Sequence, residues 1–176
     1  MNTNEPPHST LTYDPSHRDF LTPYLTPKSP ARIAPHVTLT YASSLDGLLS
    51  VRPGESTALS SPLTKAMTHY LRSQHTAILV GAGTAIADDP GLNCRLVGTE
   101  LSSQPRPIVL DPRGRWDVGM ESRVVSTARK GRGKGVWVIV GDGVEYDEER
   151  KEVLERCGGR VLGRAQRSSG EMSSGC

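Results

Sequence analysis

Three short apolar runs stand out from an otherwise polar chain, Ala77-Ile78-Leu79-Val80, Pro107-Ile108-Val109-Leu110 and Val136-Trp137-Val138-Ile139-Val140, and Arg160-Val161-Leu162 begins one more strand. Each run has the length of a buried strand. Val37, Leu39 and Tyr41 alternate with Thr38 and Thr40, which predicts a half-buried strand over 37–42. Residues 48–51 and the pair Val124-Val125 read as further short strands. Helical spacing appears between the runs. Leu63, Ala66, Met67, Tyr70 and Leu71 form one apolar stripe, opened by Ser61 as N-cap and Pro62 at the first helical position. Met67 and Tyr70 read as core. Residues 147–157 form a second helix, with Val153, Leu154 and Cys157 inward, acids at its start and Gly158-Gly159 at its end. Strands that alternate with helices make the class α/β.

Composition narrows the picture. The 176 residues suit one domain, but only 35% are hydrophobic, so part of the chain is expected outside a packed core. That part is a leader over 1–35, rich in Pro, Ser and Thr, and an irregular tail over 163–176. The folded domain is expected over 36–162. Within the leader, Phe20, Leu21, Tyr24 and Leu25 can pin one short helical turn. The net charge of +2 selects no partner. The basic loop Arg129, Lys130, Arg132 and Lys134 lacks the interleaved aromatics of a nucleic-acid surface. Cys94, Cys157 and Cys176 have neither zinc nor disulfide-framework spacing, so no metal is expected. No apolar run is long enough for a membrane span or signal peptide, and a reducing cytoplasm is the simplest compartment.

Chemistry concentrates in 77–95, AILVGAGTAIADDPGLNCR. A strand delivers Gly81 and Gly83, then Thr84, then Asp88 and Asp89, before Pro90-Gly91 turns the chain toward Arg95. Open α/β sheets build ligand sites at such strand ends. The third glycine of a dinucleotide fingerprint is missing, and no Gly-Lys-Ser/Thr follows as in a P-loop. Thr84 can cap a short helical turn over 85–87, or hold a phosphate or ribose oxygen. Asp46-Gly47 is a turn dipeptide, where Asp46 can bond its own backbone. Arg72 reads by default as a surface arginine.

The run Gly83-Thr84-Ala85-Ile86-Ala87-Asp88-Asp89-Pro90-Gly91-Leu92-Asn93-Cys94-Arg95 resembles the T-x-x-x-D-D/N-P-x-L-x-x-R signature of the riboflavin-biosynthesis pyrimidine reductases. Ser44-Leu45-Asp46-Gly47, Gly54-Glu55-Ser56, Ser61-Pro62, Arg72 and Asp111 follow the same family's order. The resemblance covers 35–162. It implies a dihydrofolate-reductase-like open mixed sheet, mostly parallel and flanked by helices. It also implies reduction by NADPH of the ribosyl side chain of 2,5-diamino-6-ribosylamino-4(3H)-pyrimidinone 5′-phosphate to the ribityl form. On that resemblance Thr84 and Asp88 contact the cofactor, with Ala42, Ala58 and Val161 as further contacts. Ser56, Arg72, Leu92 and Arg95 fall on substrate positions, and Asp46 lies near the reacting carbon. Intact members suggest a homodimer. From Arg164 the sequence departs from the family, and neither its glycine loop nor its terminal strands can be found. An incomplete, inactive remnant is therefore the alternative expectation, and a related enzyme with another pterin-like substrate is the third.

Overall fold

The computed structural model describes residues 10–25, 35–48 and 60–163. Its centre is a parallel four-stranded sheet in the order β1 (Ala77–Gly81), β2 (Arg106–Leu110), β3 (Trp137–Ile139) and β4 (Arg160–Leu162). Parallel neighbours require crossovers, and three helices supply them: α3 (Ala82–Asp88), α4 (Arg123–Arg129) and α5 (Glu148–Glu155). Register places Val80, Val109, Val138 and Val161 in one row across the sheet. This row faces the helices, where Ala82 and Ala85 of α3, Val124 and Val125 of α4 and Leu154 of α5 complete the core. The strands expected over 77–80, 107–110, 136–140 and 160–162 are thus all present, as 77–81, 106–110, 137–139 and 160–162, and all run parallel, but β1, expected buried, holds no buried residue.

Caps set the helix boundaries. Asp147 accepts from Arg150 N–H and starts α5. Gly158, at φ 71°, ends the turn that follows, and Gly159 N–H bonds back to Leu154 O. Gly135 and Gly159 are also fixed by closeness. A Cβ on Gly135 would lie 2.3 Å from Cys157 O, and one on Gly159 would lie 2.4 Å from Val136 O. Only glycine permits that approach between the end of α5 and the start of β3.

Three expectations need correction. The segment over 37–42 is not a strand. Residues 35–44 carry no regular structure, and Val37, Leu39 and Tyr41 are exposed by 72% or more. Alternation marks a segment that can pair, but a strand forms only where a neighbour takes its N–H and C=O groups. Among the described residues, β1 pairs with β2 alone. Val124-Val125 is not a strand either, since both residues lie in α4 with at most 2% exposure. Caps and core packing override β-propensity there. The turn expected over 85–87 is a helix that starts earlier, at Ala82, because Ala82 and Ala85 are both drawn into the core. The strand expected over 48–51 lies almost wholly outside the described residues.

The helix α2 (Pro62–Ser73) begins as expected, with Ser61 Oγ accepting from Thr64 N–H. It does not join the main core. Ala66 and Leu71 form a satellite cluster with Tyr13 and Leu21, flanked by Leu11, Leu25, Met67, Tyr70 and Leu96. Leu63, expected inward, is 54% exposed. The leader segment 10–25 therefore packs against α2. It carries the short helix α1 (Arg18–Leu21) between two 3-10 turns, and Leu21 is its buried anchor. Phe20 and Tyr24, expected as anchors beside it, are largely exposed.

Candidate active site

The exposed face of α3 holds Thr84 and Asp88, four residues apart and hence on one side of the helix. Neither has a hydrogen-bond partner among the described residues. Thr84 is not a cap, because Gly81 occupies the N-cap position without a side-chain bond. Asp89 adopts a left-handed backbone at φ 38°, and its carboxylate accepts from Arg123 N–H at 3.0 and 3.2 Å. It therefore caps α4 and is committed to structure. A shallow cavity of about 210 Å³ opens beside it, lined by Asp89, Arg115, Trp116, Asp117 and Ser122 among others.

The chain reverses between Asp89 and Leu92, the two non-glycine residues with positive φ among those described. It then runs under α2, where a second group assembles. Arg72 donates through Nη1 to Asn93 O at 3.0 Å, while its Nε is buried without a partner. His69, one turn earlier, accepts from Arg95 N–H at Nδ1 at 3.0 Å. Its Nε2 faces Arg95 Nε at 3.3 Å. A neutral imidazole accepts at one nitrogen only. The two contacts are therefore alternatives set by the tautomer: Nδ1 accepts from the Arg95 amide, or Nε2 accepts from Arg95 Nε–H. Burial, together with Arg72 and Arg95, pushes the His69 pKa down to about 3, so the ring is neutral near pH 7. Burial, then Arg95, also lowers the pKa of Arg72. Among the described residues no carboxylate pairs with either guanidinium.

The loop between these groups is fixed along its length. Gln104 Oε1 accepts from Cys94 N–H at 2.7 Å, and Gln104 Nε2 donates to Cys94 O at 2.9 Å. Asn93 Nδ2 donates to Arg132 O. Arg72 is thus a tethered, half-buried arginine rather than a solvated one. Leu92 packs into the main core, and the residue as a whole is only 2% exposed. Sequence reading missed His69, Gln104 and Asn93. For His69 a signal existed, namely its place three residues before Arg72 on a helix whose apolar face was legible.

The other candidates lie apart. Asp46 is fully exposed in its turn, where Ser44 Oγ donates to its Oδ1 and holds its pKa below the usual carboxylate value. Ala42 is exposed in the irregular segment before it, and Val161 is half-buried in β4 against the main core. Ser56 and Ala58 lie outside the described residues.

A family model described as the RibD C-terminal domain matches residues 35–165. The 2,5-diamino-6-ribosylamino-4(3H)-pyrimidinone 5′-phosphate reductase of Debaryomyces hansenii is 44% identical over 155 residues, which cover 88% of this chain and 62% of that protein. The reductase of the same name from Eremothecium gossypii is 49% identical over 138 residues, covering 74% of this chain and 55% of that one. A solved structure of the Saccharomyces riboflavin biosynthesis reductase Rib7 superposes with a TM-score of 0.61 at 37% identity, covering 82% of this chain and 56% of that one. The chain spans about three-fifths of the length of such relatives or less.

Proposed function

This chain belongs to the RibD C-terminal domain family, and from that premise we propose that it serves NADPH-dependent reduction of the ribosyl side chain of 2,5-diamino-6-ribosylamino-4(3H)-pyrimidinone 5′-phosphate. The fold is the dihydrofolate-reductase-like α/β architecture of its reductase relatives. The observation that carries the substrate half is the convergence of Arg72 and Arg95 on a neutral His69, with no carboxylate among the described residues paired to either. Two such guanidiniums favour an anion, and their planar donor forks match phosphate. The orphaned Arg72 Nε is one donor such a ligand can satisfy. By the family resemblance Leu92 and Ser56 complete the substrate set.

The nicotinamide cofactor supplies the hydride that reduces C1′ of the ring-opened sugar. Thr84 and Asp88 fit its polar edges as a donor and an acceptor left free on α3. A carboxylate suits a ribose hydroxyl and not a phosphate, so Asp88 is assigned to the sugar. Ala42, Ala58 and Val161 line the same cofactor, and Asp46 orients the reacting carbon. The protein's task is to hold the two partners in register, since orientation lowers the barrier without any acid–base device. We assign the protein to the cytoplasm and its working form to a homodimer.

Thermal-shift and calorimetric titration of the chain with NADPH and with the pyrimidine phosphate tests this reading, because a ligand bound only by the folded state raises its stability. Arg95→Ala weakens the pyrimidine phosphate by roughly 1.5–3 kcal/mol, the worth of one charge-assisted contact. It leaves the NADPH Kd unchanged. An unaltered affinity for the pyrimidine phosphate in that variant removes Arg95 from the substrate site.

A further inference from the structure

Both backbone polar groups of Arg95 are taken by elements outside its own loop. Its N–H goes to His69 Nδ1 on α2. Its C=O accepts from Leu11 N–H at 2.9 Å, and Leu11 O in turn accepts from Val97 N–H at 3.1 Å. Leu11 and Leu96 thus form a parallel bridge. The segment that provides Leu11 lies before residue 35, where the matched family region begins. It is anchored next to His69, at Tyr70. The Tyr13 ring stacks on Tyr70 with centroids 5.0 Å apart, Arg18 lies over the same ring at 5.4 Å, and Leu21 is buried against α2. Tyr13 Oη donates to His17 O and closes the segment on itself.

We propose that residues 10–25 form a strap that positions Arg95 for its phosphate partner. The inference rests on the phosphate assignment above and adds a determinant outside the family domain. The apolar side chains of the strap pack in the satellite cluster and not in the main core of α3, α4 and α5, so its release leaves that core intact. Two bonds bracket the residue that must present a guanidinium. Without them the loop after Cys94 keeps its His69 bond but loses its second tether, and Arg95 samples orientations that do not grip the anion. The strap's contacts among the described residues lie with α2, the loop after Cys94 and, through Tyr24 O, His36 Nε2, and none is with Thr84 or Asp88.

Ribose 5-phosphate is the probe, titrated calorimetrically into the full chain, with hydrogen exchange at the Val97 amide as the structural readout. Leu11→Pro deletes the donor to Arg95 O. It should expose the Val97 amide to exchange and raise the ribose 5-phosphate Kd roughly fivefold, the worth of one hydrogen bond, with the NADPH Kd unchanged. Leu11→Ala keeps both backbone bonds and should shift the Kd less. Tyr13→Ala frees the anchor by a different route and should act like Leu11→Pro. It stands in for that variant if the proline disturbs folding, which the near-ultraviolet signal of buried Trp116 reports. In an Arg95→Ala background the proline should have no further effect. The strap proposal is overturned if Arg95→Ala weakens the probe while Leu11→Pro and Tyr13→Ala leave its Kd within twofold of wild type despite a freed Val97 amide. If Arg95→Ala itself binds normally, or wild type does not bind the probe, the phosphate assignment fails, and the strap's role fails with it.

Discussion

His69 carries two loads: it holds the Arg95 backbone and separates two guanidiniums as a neutral ring. Its neutrality has a consequence for stability. In the unfolded chain the imidazole titrates near its ordinary value of 6.5, while in the folded state it does not take a proton until about pH 3. Between those limits the unfolded state binds more protons, so stability falls as pH drops. The contribution is fully present above pH 6.5 and is lost progressively toward pH 3. At its steepest the dependence is about 1.4 kcal/mol per pH unit. His69→Gln removes this ionisation. Urea melts of the two proteins between pH 4.5 and 7.5 should therefore diverge in slope, with wild type the steeper. Parallel slopes would show that His69 is not buried neutral.

Among the elements, α4 owes its position to a carboxylate supplied from outside. Its own N-cap residue, Ser122, makes no side-chain bond to the helix, and Asp89 accepts from Arg123 N–H in its place. This ties the end of α3 to the start of α4 and fixes the reversal that sends the chain toward Arg95. Asp89→Ala should destabilise the fold by about 0.5–2 kcal/mol, as loss of a cap does. Asp89→Asn, which keeps an acceptor oxygen and tolerates the left-handed backbone, should recover most of that loss. Equal destabilisation by both variants, read from denaturant midpoints, would mean that the charge rather than the cap matters. The tie also accounts for the difference between the two adjacent aspartates: Asp88 remains exposed on α3, whereas Asp89 is spent on folding.

For the molecule as a whole, the described residues cover the sheet on one side only, with the crossover helices. The opposite face carries Leu79 on β1, Leu110 on β2 and Leu162 on β4, exposed by 58, 40 and 37%. Ile108, Trp137 and Ile139 lie on the same face by register and are half-buried. Exposed apolar surface beside an open strand edge favours self-association. Leu79→Thr keeps a β-former on β1 and removes the most exposed of these side chains. It should lower dye binding to apolar surface and slow concentration-dependent association in sedimentation. Its effect on stability should stay within about 0.5 kcal/mol, as for surface changes generally. Unchanged association would place the sticky surface elsewhere.

The sequence by itself determined the positions of the four strands, α5, α2 with its Ser61 cap, and the α/β class. These rest on local chemistry: apolar runs of strand length, helical spacing, and Ser, Asp and Gly at element ends. Tertiary structure decided the rest. Whether residues 37–42 pair depends on a neighbouring strand that no local pattern specifies. Whether Val124-Val125 is strand or helix depends on a carboxylate 35 residues earlier in the chain. His69 became legible only once α2 lay against the Arg95 loop, since a histidine's role is set by what faces its two nitrogens. The strap was hidden for the same reason. The leader's apolar residues at 20–25 predict one pinned turn, but that Leu21 and Tyr13 are the anchors was decided by the second cluster, because burial is a property of pairs of surfaces and not of a single sequence segment.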